Sequence, residues 1–226
     1  MNVFWTHSME FPYFEELFKC LTSSLSMSHK EEDIQLLKDK LIALLHPKER
    51  ELMTNVNMDP YLKEFTFPSG IFTGEYIDIT GCIGIVISGI IGVKHDFNGL
   101  DSITHFYQKG DLLLSIEIEE AFNKQGSFWQ FYDNTRILLL PLKDDKWQQS
   151  HPHLSSVLLV QASLMATYMY QEHINNLGLD CKYYSVKWLK ENYGLLQKVP
   201  RMDIANYLDI SKSSLKSFMK IALTHG

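Results

Sequence analysis

Between Phe65 and Leu140 the chain abandons helical spacing for a succession of short apolar runs cut by turn residues, and this change of period restricts the fold most. Phe65 to Phe67, Ile71-Phe72, Ile77 to Thr80, Cys82 to Ile87, Ile90 to His95, Ser102 to Tyr107, Leu112 to Ile118, Ser127 to Tyr132 and Arg136 to Leu140 alternate with Pro68-Ser69-Gly70, Ser88-Gly89, Asn98-Gly99 and Lys109-Gly110-Asp111. Runs of this length suit strands, and Asn-Gly readily takes the two positive φ values of a type I′ hairpin. Many short strands with regular turns predict an antiparallel β-sandwich or jelly roll rather than a parallel sheet.

Helical spacing flanks this region. Before it, Leu36, Leu37, Leu41, Leu44 and Leu45 recur on one face and Pro47 to Met53 adds a turn or two, followed by a polar linker, Thr54 to Asp59. Residues 1–35 combine aromatic residues with a serine-rich stretch and predict a short amphipathic helix from Pro12 to Leu25. After it, His153 to Leu177 reads as one long helix with Leu154, Val157, Leu158, Leu159, Val160, Leu164, Met165, Tyr168, Met169 and Ile174 on nearly every face. A helix that is apolar all round must be buried all round. A single β-roll covers one face only, so a second copy of the same helix is the expected cover for the other, giving a homodimer through 153–177.

The C-terminal stretch from Val199 to Lys220 predicts two short helices joined by a tight turn. Pro200 suits a first helical position, and Ile204, Ala205 and Leu208 form an apolar stripe in which small Ala205 permits a close crossing. Asp209 falls where the turn needs a left-handed backbone. Ser211 is placed to cap the second helix, along which Leu215, Phe218, Met219 and Ala222 keep inward spacing. A helix ahead of the pair, Tyr183 to Asn192, completes a three-helix unit. This is the arrangement of a helix-turn-helix, whose second helix reads the major groove. The expected duplex-DNA contacts are Ser211, Lys212, Ser213, Ser214, Lys216 and Lys220. No arginine, the commonest bidentate reader of guanine, lies among them.

Charge supports the same division. The chain carries a net −6, yet from Leu195 onward Lys198, Arg201, Lys212, Lys216 and Lys220 outnumber Asp203 and Asp209. The terminal segment is therefore drawn to a polyanion that the rest repels. Cys20, Cys82 and Cys181 are scattered and lack metal spacing, as expected of free thiols in a reducing cytoplasm. No basic segment followed by an apolar run opens the chain, and Val157 to Tyr170 is too short and polar to span a bilayer, so neither a signal peptide nor a membrane partner is expected.

Helices, jelly roll, long apolar helix and helix-turn-helix, in that order, resemble the Crp/Fnr family of bacterial transcription regulators, and in particular its divergent Bacteroidetes branch. The likeness rests on Ser88-Gly89-Ile90-Ile91-Gly92-Val93, on Phe106-Tyr107-Gln108-Lys109-Gly110-Asp111, and on Leu195 to Pro200 followed by Ile204 to Ser211. It implies an α+β chain with a helical extension over 1–35, a cyclic nucleotide-binding-like sensor roll over 36–145, a dimerisation helix over 146–179 and a DNA-binding domain over 180–226. It also implies a small-molecule effector and contact with RNA polymerase. In the family's cyclic-nucleotide binders, a Gly-Glu pair and an Arg-Ser or Arg-Thr pair hold ribose and phosphate. Those places fall here on Leu114-Ser115 and near Gly126-Ser127, and no arginine stands between Lys94 and Arg136. A cyclic phosphate would lack its guanidinium, so cyclic AMP is not expected, no cofactor is expected, and the effector stays unidentified.

Two other readings compete. A regulator acting through protein contacts instead of DNA is favoured by the acidic surface and arginine-free helix. A cupin-like metalloenzyme would need two histidines two residues apart on a strand with a glutamate beyond. His95 and His105 lack that spacing, and His151-Pro152-His153 falls at a helix start, where linker and capping roles explain it. The chain is therefore read as a non-enzyme.

Overall fold

A computed structural model describes residues 30–72, 81–97, 100–114, 127–177 and 180–224. The expected helix at Pro12 to Leu25, the strand at Ile77 to Thr80 and the Asn98-Gly99 turn lie outside the described residues. Two helices, α1 (Glu31–Leu44) and α2 (Pro47–Thr54), precede eight strands: β1 (Lys63–Phe67), β2 (Gly70–Phe72), β3 (Cys82–Ser88), β4 (Ile90–Phe97), β5 (Leu100–Gln108), β6 (Leu112–Leu114), β7 (Ser127–Phe131) and β8 (Thr135–Pro141). There follow α3 (Asp145–Ser150), the long α4 (Pro152–Leu177), α5 (Cys181–Glu191), α6 (Leu195–Lys198), α7 (Arg201–Tyr207) and α8 (Lys212–Thr224).

The strands form two antiparallel four-stranded sheets, ordered β1-β8-β3-β6 and β2-β7-β4-β5, which is the strand order of a jelly roll. Their facing sides enclose Val86, Ile91, Val93, Tyr107, Leu113, Trp129, Phe131, Ile137 and Leu139. The outer side of the first sheet is covered too: Ile83, Ile85 and Ile87 of β3 and Leu138 and Leu140 of β8 pack with Leu37 and Leu41 of α1 and Leu154, Leu158, Ala162 and Ala166 of α4. Covering on both sides explains why Cys82 to Ile87 and Ile137 to Leu140 read as continuous apolar runs instead of alternating ones. The β3–β4 turn depends on Gly89, at φ 92°, where a side chain would meet the Cα of Thr135 at 2.6 Å.

Polar ties fix the helices to the sheet. Arg136 on β8 donates from Nε to Glu64 at 2.7 Å and reaches Asp33 of α1 from Nη2 at 3.1 Å. Lys38 donates to the carbonyls of Thr54 and Val56, closing α1 onto the end of α2. The buried Ser155 hydroxyl donates to the Leu142 carbonyl, and Asp144 caps α3 by accepting from the Lys146 and Trp147 amides. The linker expected to be polar, Thr54 to Asp59, instead puts Val56 and Met58 into the core, because Asp59–Tyr61 makes a 3₁₀ turn that folds it back.

The outer side of the second sheet carries a further layer. Ile90, Ile103 and Phe106 from β4 and β5 join one cluster with Trp188, Leu189, Leu195, Val199, Ile204, Ala205, Tyr207, Leu208, Leu215 and Ala222. The molecule is thus layered as helices, sheet, sheet and C-terminal helical unit.

Candidate nucleic-acid interface

The C-terminal unit is built from local backbone chemistry. Asp180 caps α5 by accepting from the Lys182 and Tyr183 amides. Helix α7 starts one residue later than the proline spacing suggests: Pro200, at ψ 135°, is the residue before the helix, and its carbonyl accepts from the Asp203 amide at 2.9 Å. The helix ends in a Schellman arrangement, in which the Ile210 amide donates to the Ala205 carbonyl at 3.0 Å and the Asp209 amide to that of Asn206 at 3.2 Å. Such a closure places the residue between them in the left-handed region, and Asp209 has φ 50°, the single positive φ outside glycine among the described residues.

Ser211 then begins α8 as a cap. Its Oγ accepts the Ser214 amide at 3.1 Å and lies 2.8 and 2.9 Å from the hydroxyls of Ser213 and Ser214. Along α8, Leu215 and Ala222 are buried and Phe218 and Met219 half-buried. The opposite side is exposed: Lys212, Lys216 and Lys220 recur every four residues with Ser213 and Ser217 beside them. At 1.5 Å per residue these lysines span about 12 Å, close to the width of the major groove. The structure therefore gathers all six sequence-identified residues, with the three lysines as a cationic ridge and the serines drawn into the capping cluster.

The residues matched to the family's nucleotide site fare differently. Leu114 is fully buried in the core between the first sheet and the helices. Ser127 is the first residue of β7, and Ser115 and Gly126 lie outside the described residues. Arg136, the first arginine beyond that segment, is committed to Glu64 and Asp33, which raise its pKa against the opposing effect of burial. Of the histidines weighed for metal binding, His151 packs against Tyr61 and Trp147 at 5.7 and 4.6 Å between ring centres, and His153 pairs with Glu49 at 3.5 Å. His105 packs on buried Tyr107, and burial together with nearby His173 lowers its pKa to about 4.

Sequence reasoning missed the polar groups beneath the unit. Asp203 of α7 is buried, and its Oδ2 receives Lys94 Nζ of β4 at 3.0 Å and the Tyr132 hydroxyl at 2.7 Å. The available signal was a carboxylate four residues before Tyr207 on the buried side of α7, and a lysine inside the apolar run Ile90 to His95.

Most of the chain has counterparts among solved structures. FixK2 from Bradyrhizobium japonicum superposes with a TM-score of 0.55 at 16% identity, over 73% of this chain and 86% of that one. A protein of Eubacterium rectale described as a transcriptional regulator of the Crp/Fnr family gives 0.54 at 15% identity, over 82% and 87%. One from Silicibacter pomeroyi described as a cAMP-binding regulatory protein gives 0.50 at 11% identity, over 85% and 89%. No family model and no curated protein sequence matches the chain. Among the described residues no helix is long and apolar enough to cross a membrane. The protein has the fold of the Crp/Fnr regulators, a cyclic nucleotide-binding-type roll followed by a helical C-terminal unit.

Proposed function

We propose that the protein is a dimeric, cytoplasmic DNA-binding transcription regulator of the Crp/Fnr type, closest to its Bacteroidetes branch, whose roll does not take cyclic AMP. The observation that carries this reading is the exposed ridge of Lys212, Lys216 and Lys220 on α8, held by a Schellman turn and a serine cap. The apolar residues left exposed on α4, among them Val160, Leu164 and Tyr168, support pairing with a second copy. The commitment of Arg136 elsewhere and the burial of Leu114 support the loss of cyclic-nucleotide binding. An effector of other chemistry, and RNA polymerase, are the remaining partners of the proposal, and the protein acts as a regulator without catalysis.

Titration of the full chain with random duplex DNA across salt concentrations tests it. With three ridge lysines per protomer, log affinity should fall against log salt with a slope of roughly −5. Lys216→Glu should weaken binding without lowering the melting temperature, because the side chain is exposed. A wild-type chain that binds no duplex at low salt overturns the reading. The arginine-free face would then favour the second one, a regulator working through protein contacts.

A further inference from the structure

The C-terminal unit is docked on the outer side of the second sheet by an apolar centre and a polar rim. At the centre, Phe106 of β5 lies 5.2 Å from Tyr207 and 6.1 Å from Trp188, ring centre to ring centre. Tyr207 in turn stacks on His173 of α4 at 4.6 Å, so roll, long helix and C-terminal unit meet at one aromatic side chain. At the rim, Gln108 donates to Asn192 at 3.0 Å and Lys198 pairs with Asp133 at 2.7 Å in an exposed position. Aromatic contacts of this kind tolerate sliding and rotation. A buried charge does not.

That buried charge is Asp203. Lys94 and Asp203 side chains are only 10% and 11% exposed, and the Tyr132 hydroxyl donates to the same Oδ2 that Lys94 reaches. Gly92, two residues before Lys94 on β4, makes the arrangement possible: a Cβ there would come within 2.8 Å of the Tyr132 ring. The Tyr132 amide also donates to the Ile90 carbonyl, fixing the ring over the strand. Gly92, Lys94 and Tyr132 of the roll thus form one socket for one carboxylate of α7. Buried ion pairs add little net stability compared with apolar packing, but parting the two partners leaves a charge buried without its counterion, so displacement of α7 from this position is costly. Docking leaves the lysine ridge of α8 exposed, so the socket sets the ridge's direction and does not mask it.

We infer that the Lys94–Asp203–Tyr132 clasp is a latch that holds the helix-turn-helix unit at one bearing on the sensor roll and thereby sets whether two recognition helices can engage DNA together. The part concerning DNA rests on the function proposed above. The docking itself does not.

Hydrogen–deuterium exchange on the full chain separates the two. Asp203→Asn and Lys94→Met should each speed exchange at 201–208 and 103–106 by about tenfold or more, with 83–87 and 137–140 unchanged, because a local opening exposes the docked surfaces alone. The double substitution Lys94→Met with Asp203→Leu should restore protection, since no charge is then left unpaired. Unchanged exchange in both single variants overturns the latch, as does faster exchange spread over 83–87, which would make the triad a support of the roll. In random duplex DNA, Asp203→Asn should reduce the salt slope to about half as the two units cease to bind in concert. An unchanged slope with docking lost overturns the claim about bearing. A wild type without DNA binding overturns that claim too, together with the proposed function, while the exchange results still decide whether the clasp docks the unit.

Discussion

At Asp209 the backbone of the interhelical turn is held at φ 50° by two Schellman hydrogen bonds. An L-residue with a Cβ pays roughly 1 kcal/mol for this conformation, and aspartate is among the more tolerant. Asp209 is exposed, and its carboxylate makes no hydrogen bond or ion pair among the described residues. Asp209→Gly should therefore stabilise the unit by about 1 kcal/mol, read as a higher midpoint in urea or heat. It should also tighten duplex binding slightly by removing a negative charge beside Lys212. A lower midpoint would mean that the carboxylate contributes more than its backbone strain costs. Residues of this kind were legible in the sequence because their chemistry is local: a left-handed turn position, a serine cap and the i, i+4 spacing of lysines all act within a few residues. Asp203 was not, because Lys94 and Tyr132 reach it from strands far off in sequence, and a carboxylate in a first helical turn ordinarily reads as a favourable dipole partner in solvent.

Among the elements, α4 shows how far periodicity reaches. Its apolar residues on every face implied burial on every side, and the structure assigns one side: Leu154, Leu158, Ala162 and Ala166 lie against the roll. Val160, Leu164 and Tyr168, also four apart, remain 56%, 60% and 65% exposed in the single chain, with Ile174 at 48% beyond them. We read that exposed row as the face through which the proposed dimer pairs. Leu164→Glu places a charge at its middle and should convert a dimer into a folded monomer by sedimentation, with the near-ultraviolet signal of the roll unchanged, because Leu164 takes no part in the core. A wild-type monomer at micromolar concentration would refute the pairing. The sheets were legible in number and turn placement for a related reason, since Gly89 and Gly110-Asp111 mark strand ends by backbone need. The fourth layer was not legible. Ile90, Ile103 and Phe106 read as ordinary strand residues, and nothing in a period of two says which outer face a distant helical unit will cover.

For the whole molecule, the meeting of roll, long helix and C-terminal unit predicts how stability changes with acid. Burial, and then repulsion from His173, lower the His105 pKa to about 4, and burial lowers that of His173. An unfolded chain takes up these protons near pH 6.5 and the folded chain only later. The folded state is thus penalised as pH falls, with stability complete above about 6.5 and lost progressively toward pH 4. Neighbouring groups modify this without reversing it. Burial raises the hydroxyl pKa values of Tyr184 and Tyr207, with Glu172 adding to both and Glu191 to Tyr184, so both stay neutral throughout the window. Half-buried Asp111 has a pKa raised by desolvation and works the opposite way, favouring the folded state on acidification. His105→Gln isolates the histidine part: between pH 7 and pH 4.5 the wild type should lose on the order of 2 kcal/mol more stability in urea than the variant. Equal losses in the two chains would show that His105 takes up its proton as readily when folded as when unfolded. Because His173 stacks on Tyr207, the same acidification should release α7 before the sheets melt, seen as faster amide exchange at 201–208 than at 83–87.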